Sequence, residues 1–187
     1  MSAPVVVMTA LPDELSQANA PPGVTVVYSG VGKLNAGLAA SQVIAAHRPR
    51  LIVNFGTAGR VHAGVAGLIE IGSVLQHDMI AVPLAPRGMT PFDTTPPILS
   101  SGAQGALCAT GDSFVTSVDP WLIEANADVV DMELFAIALA CHRAGVSWCA
   151  FKFITDDADN SSAHEWQKNV MNGEALFWTA LARLQRV

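Results

Sequence analysis

Charge is scarce in this sequence. Asp, Glu, Lys and Arg together make up 14% of its 187 residues, where an ordinary soluble domain carries about a quarter. Lys and Arg form no block and the net charge is −6, so the basic stripe that a nucleic-acid partner requires is missing. Cysteine is sparse too. Cys108, Cys141 and Cys149 lie in apolar contexts without CxxC spacing, which reads as buried thiols of a cytoplasmic protein rather than disulfides or a zinc site. The N-terminus has no basic region ahead of its short apolar run, so no signal peptide is expected. No apolar stretch reaches transmembrane length, so no membrane partner is expected. His77 and Asp78 are neighbours, but His62 and His164 stand at no ligand spacing and His164-Glu165-Trp166 is not HExxH; no metal site is expected.

Apolar residues, at 51%, are correspondingly abundant. One domain spanning residues 1–187 has enough of them for a substantial core. A surface with so little charge implies cover by another subunit, hence a homodimer or higher homo-oligomer. The segment 83–97 (PLAPRGMTPFDTTPP) holds five of the eleven prolines. It reads as a long apolar loop serving as a lid or subunit contact.

Short runs at Val5–Met8, Val24–Ser29, Leu51–Phe55, Ile71–Leu75, Ala106–Thr110 and Ser147–Ile154, the first β-branched and the last aromatic and β-branched, read as strands. Ala-rich segments Leu34–His47 and Met132–Arg143 read as helices, the second ending at Gly145. Pro12 suits the first turn of a helix after strand one. His164–Arg186 reads as one closing amphipathic helix with Trp166, Val170, Leu176, Phe177, Leu181 and Leu184 on its buried side. The alternation predicts an α/β fold with a single mixed β-sheet and helices on both faces.

Ligands of open α/β sheets bind beyond the carboxyl ends of strands, and acids and small residues collect there. Glu14 follows strand one, where it suits equally a helix N-terminus. Gly30-Val31-Gly32-Lys33 and Gly56-Thr57-Ala58-Gly59 read as small-residue loops after strands two and three. The first is not a P-loop, because Leu34 stands where Ser or Thr would hold magnesium, nor a dinucleotide fingerprint, because Asn35 replaces the third glycine. Phe114 is placed equally well to stack on a flat ring or to fill core. Asp131 to Asp159 carries acids at both ends of a helix–strand unit: Asp131 and Glu133 at the helix start, Asp156, Asp157 and Asp159 past the strand. Of these, Asp131, Asp157 and Asp159 are assigned to capping and turns.

In order and spacing, these motifs resemble the purine nucleoside phosphorylase/uridine phosphorylase superfamily, and within it the 5′-methylthioadenosine/S-adenosylhomocysteine nucleosidases. The matching segments are 10–14, 29–33, 54–59, 110–114 (TGDSF), 131–133 (DME) and 154–156 (ITD). The resemblance implies a shortened version of the family's three-layer αβα fold and hydrolysis of a purine nucleoside without cofactor or metal. It implies Glu14 as the base activating water and Asp156 as the acid protonating the purine. It implies Thr57, Ala58 and Gly59 near the water, Phe114 and Val115 at the base, Met132 and Glu133 at the ribose, and Thr155 beside the acid. A phosphate-dependent phosphorylase is the alternative, with Arg60 and Arg87 as candidate phosphate ligands; futalosine hydrolase and a nucleoside-binding sensor are others.

Overall fold

The computed structural model describes residues 4–184. Its frame is a mixed sheet of eight strands: β1 (Val5–Thr9), β2 (Thr25–Tyr28), β3 (Leu51–Arg60), β4 (Leu68–Gln76), β5 (Ile98–Ser100), β6 (Ala106–Thr110), β7 (Val129–Asp131) and β8 (Ser147–Asp156). β1 pairs in parallel with β2 and β3, and β8 runs parallel along β3. β8 also pairs antiparallel with β4, β4 parallel with β6, β6 with β7, and β7 returns antiparallel to β3. The strands β3, β8, β4, β6 and β7 therefore close into a ring, with β1, β2 and β5 attached outside it.

Among the described residues five α-helices accompany the sheet: α1 (Lys33–His47), α2 (Pro120–Glu124), α3 (Leu134–Ala144), α4 (Ser162–Asn169) and α5 (Glu174–Leu184). Alternation along the central strands divides the core between two faces. Ile52, Trp148 and Ala150 pack with Ala36, Ala40 and Val43 of α1 and with Leu134, Ile137 and Cys141 of α3. Val53, Phe55, Cys149 and Phe151 pack with Phe177 and Leu181 of α5. The expected mixed sheet with helices on both faces is what forms, and all three cysteines are buried free thiols. Among the described residues no helix is long and apolar enough to cross a membrane.

Local expectations fail in three places. No α-helix starts at Pro12. The chain turns instead, with Glu14 N–H donating to Leu11 O (3.1 Å), and Gln17–Asn19 forms only a short 3-10 turn before β2. The Glu14 carboxylate itself takes the free N–H groups of Ala10 and Leu11, so it stabilises a turn rather than a helix start. Gly56–Gly59 is not a loop but the second half of β3, paired to β8 as far as Asp156. Strand pairing there overrides the turn preference of small residues, and their small size admits the charged groups described below. The closing helix is broken into α4 and α5 by a 3-10 turn at Val170–Gly173. A Cβ on Gly173 would stand 2.6 Å from Phe153 Cβ, so this close seat on the sheet fixes the bend. Val170, Phe177 and Leu181 are buried as expected, but Leu176 and Leu184 face outward. Residues 185–186 of the expected helix lie outside the described residues. β5 and α2 had no clear signal in the sequence.

Candidate active site

The carboxyl ends of β1, β3, β7 and β8 converge on a cavity of about 310 Å³. Glu14, Thr57, Ala58, Gly59, Phe114, Val115, Met132, Glu133, Thr155 and Asp156 all line it, joined by Asp131, Val31 and, from α4, Ala163, Trp166 and Gln167. The ten residues that the resemblance assigns to the site thus meet in one place.

Glu14 is held on one wall. Its Oε2 accepts from Thr9 Oγ1, Ala10 N and Leu11 N, each at 3.1 Å. Its Oε1 accepts from Thr57 N and Thr57 Oγ1, each at 2.9 Å. The turn after β1 and the middle of β3 therefore aim one carboxylate jointly.

Asp156 is buried at the end of β8. Ala158 N donates to its Oδ1 (3.0 Å), and Thr155 Oγ1 lies 2.8 Å from its Oδ2. Thr155 Oγ1 also lies 3.5 Å from Ala58 O, so a rotating hydroxyl can either donate to Asp156 or accept from it. Gly59 makes the room: a Cβ there would stand 2.7 Å from Asp156 Oδ1.

Glu133 stands at the entry to α3, where Gly32 N donates to its Oε1 (2.9 Å). Gly32 has φ +94°, a backbone state that costs glycine little, and this conformation is what turns its N–H toward Glu133. Burial, reinforced by the Asp131 carboxylate, pushes the Glu133 carboxyl up to about 7, against the opposing pull of Lys152 and the Gly32 N–H.

Beneath the cavity lies an ion pair that sequence reading missed. Lys152 Nζ is 2.7 Å from Asp131 Oδ2, with both side chains sealed from solvent. Asp131 also caps α3 through Leu134 N (2.9 Å) and accepts from Thr110 Oγ1. Burial pushes the Asp131 carboxyl up, but the Lys152 charge and these hydrogen bonds outweigh it and hold it below the ordinary range. Capping was half of its role. A signal for the other half was available: a lysine inside the apolar strand WCAFKFI has to find a buried counter-charge.

Trp166 was assigned to a buried helix face; its indole N–H instead donates to Thr57 Oγ1 at 2.9 Å. Asp157 pairs with Arg60 (2.6 Å), and Asp159 accepts from Ser161 N (2.7 Å), as turn and surface residues do. Arg87 pairs with Asp119 (2.7 Å) and covers the Trp121 ring. Neither Arg60 nor Arg87 lines the cavity, and no Lys or Arg does so among the described residues. Asp78 is engaged by Lys33 and by Asp112 N. Phe114 is half exposed at the cavity rather than packed in core.

A cavity of this size, carrying acids at the strand ends of a mixed sheet, is where an α/β protein takes a small-molecule ligand. The sequence pattern of the Phosphorylase superfamily matches residues 21–184, and the chain belongs to that superfamily. It is 28% identical over 161 residues to a 5′-methylthioadenosine/S-adenosylhomocysteine nucleosidase of Staphylococcus haemolyticus, covering 74% of this chain and 71% of that protein. Its fold is similar to that of a Helicobacter pylori MTAN mutant with 5′-methylthioadenosine in the active site, with TM-score 0.85, 19% identity, and 98% and 99% of the two chains covered. It is also similar to native futalosine hydrolase of Helicobacter pylori, with TM-score 0.82, 20% identity, and 92% and 93% covered.

Proposed function

We propose that this protein is a nucleosidase that hydrolyses the N-glycosidic bond of a purine nucleoside of the 5′-methylthioadenosine/S-adenosylhomocysteine type, releasing adenine and a ribose derivative. The observation that carries this reading is the convergence of Glu14, Glu133 and Asp156, from three separate elements, on one cavity. The names of its relatives support the substrate class.

Cleavage of an N-glycosidic bond builds positive charge on the sugar, as in other glycoside hydrolysis. The Glu14 carboxylate faces that charge across a cavity that no Lys or Arg lines among the described residues, and so stabilises it. Asp156 gives a proton to N7 of the base as the bond from the anomeric carbon to N9 breaks. A water oxygen bonds to the anomeric carbon, and Glu14 accepts the proton that water releases. Glu133 accepts hydrogen bonds from the ribose hydroxyls beside Met132. Phe114 stacks on the base, and Val115 contacts its edge. Thr57, Ala58 and Gly59 form the wall beside the water.

The same electrostatics favour water over phosphate. A phosphate dianion entering this cavity meets the Glu14 carboxylate and no free cation among the described lining residues, with Arg60 and Arg87 paired elsewhere and Lys152 sealed below against Asp131. Anion sites recruit arginine forks, and none faces the cavity. We further propose that the single domain acts in the cytoplasm as a homodimer or higher oligomer, with the loop 83–97 reaching the neighbour's site. Val82, Leu84 and the 95%-exposed Phe92 in and beside that loop support this.

The deciding experiment is adenine release from methylthioadenosine with and without phosphate. Release without phosphate is expected, with kcat lowered about 10²–10⁴-fold in Glu14→Gln and in Asp156→Asn. Strict dependence on phosphate with formation of a ribose 1-phosphate makes the protein a phosphorylase. Adenine binding by calorimetry without turnover of any nucleoside makes it a sensor.

A further inference from the structure

Thr57 Oγ1 lies between two partners whose chemistry differs. Trp166 Nε1 is 2.9 Å away, and an indole nitrogen only donates. Glu14 Oε1 is 2.9 Å away on the other side, and an ionised carboxylate only accepts. A hydroxyl has a single proton and two lone pairs. With one lone pair occupied by the Trp166 N–H, the Thr57 proton goes to Glu14, and the remaining lone pair is what the hydroxyl offers the cavity. We infer that Trp166 is a positioning residue: with the Thr57 proton taken by Glu14, its N–H occupies one of the two lone pairs and holds the hydroxyl so that one acceptor lone pair, and no free hydroxyl donor, faces the nucleophile.

The inference rests on the proposed hydrolysis and deepens it. Water donates two hydrogen bonds, so a wall of acceptors orients its protons toward Glu14 and Thr57 and leaves a lone pair for the anomeric carbon. A hydrogen phosphate dianion brings one donor against many acceptors and so matches that wall poorly. Trp166 comes from α4, which is anchored separately: Asn169 Nδ2 donates to Thr155 O at 3.0 Å, and Val170, at the C-terminal end of α4, is buried. Removing the indole N–H therefore leaves α4 docked and changes the Thr57 hydroxyl alone. Thr57 N, a second donor to Glu14 Oε1 at 2.9 Å, is backbone and survives any side-chain change.

The test is a double-mutant cycle read by steady-state kinetics and by the indole N–H signals of the ¹⁵N-labelled protein. Trp166→Phe keeps an aromatic ring and removes the donor. Its kcat is expected to fall about fivefold to tenfold, the size of one neutral hydrogen bond, with KM nearly unchanged. In a Thr57→Val background, which keeps the side-chain shape but has no hydroxyl, Trp166→Phe is expected to add no further loss. Losses that multiply, or a Trp166→Phe protein equal to the parent, overturn the inference. The spectrum decides independently of turnover. The protein has four Trp, and the indole signal missing from Trp166→Phe is expected to move upfield in Thr57→Val; an unmoved signal overturns the hydrogen bond and with it the inference. A parent protein that turns over no nucleoside refutes the proposed hydrolysis, and the direction of the Thr57 hydroxyl is then decided by that signal alone.

Discussion

Lys152 Nζ stands 2.7 Å from Asp131 Oδ2 with both side chains sealed from solvent, so a full ion pair lies directly under the proposed catalytic cavity. Burial lowers the Lys152 ammonium, but Asp131, with Cys108 and Glu133 adding to it, prevails and raises it above the ordinary lysine range. The pair holds its charges close to Glu14, because Gly56 separates them: a Cβ on Gly56 would lie 3.2 Å from Lys152 Nζ and 3.4 Å from Glu14 Oε1.

Removing one partner of such a pair strands the other charge. Lys152→Met is expected to lower unfolding free energy by about 3–5 kcal/mol, measured by urea denaturation. Adding Asp131→Asn removes the stranded charge and should recover part of the loss. If Lys152→Met alone is neutral, the pair does not exist in the folded protein.

Gly59→Ala tests the seat of the acid. The new Cβ would sit 2.7 Å from Asp156 Oδ1 and 3.3 Å from Ala158 Cβ and Val130 Cγ2. A carboxyl displaced by about an ångström costs roughly 10²-fold in kcat, while the added methyl costs about 1–3 kcal/mol of stability. Turnover and thermal melting should therefore part company, with activity lost from a protein that remains folded at the assay temperature.

Glu133 links stability to pH. Its carboxyl is raised from 4.5 to about 7, first by burial and then by Asp131. Because the folded state binds the proton more tightly than the unfolded chain, the associated stability is fully present below about pH 4.5. It is lost as pH rises through 7. Glu133→Gln carries no such loss and still offers an oxygen to Gly32 N–H. Its unfolding free energy should match the parent's at pH 4.5 and exceed it at pH 8 by on the order of 3 kcal/mol. A difference that does not change between those pH values would mean that Glu133 is not a buried titrating group.

Assembly has its own measurement. Leu34 and Leu38 on α1, and Val82, Leu84 and Phe92 in and beside the 83–97 loop, are exposed apolar side chains, of the kind that marks a protein contact. Sedimentation is expected to give at least twice the chain mass. Leu84→Glu with Phe92→Glu should shift the protein toward monomer and lower turnover, since the loop is assigned to the neighbour's site. A fully active monomeric parent would refute this.

The six longer strands, the helices α1 and α3 and the acids at strand ends were legible because each rests on local rules. Val5–Thr9 is a β-branched run and Ser147–Asp156 is rich in aromatics, and Gly145, at φ +65°, ends α3 as a helix-stopping glycine does. Pro12 misled because it signals a turn as readily as a helix start, and only the Glu14 carboxylate bonded to Ala10 N and Leu11 N decides between them. Gly56–Gly59 misled because small residues mark loops by preference, while pairing to β8 is a long-range event.

By itself the sequence determined the alternation of strands and helices, the sparse charge, and the placing of Glu14, Glu133 and Asp156 at element ends; these follow from composition, periodicity and capping. Tertiary structure alone decided that β8 reaches both β3 and β4 and closes a ring, bringing residues 14, 133 and 156 to one cavity. It also decided that Lys152 meets Asp131 and Trp166 meets Thr57. Hydrogen bonds and ion pairs act over a few ångströms, and which distant residues come within that range is set by how the strands pair.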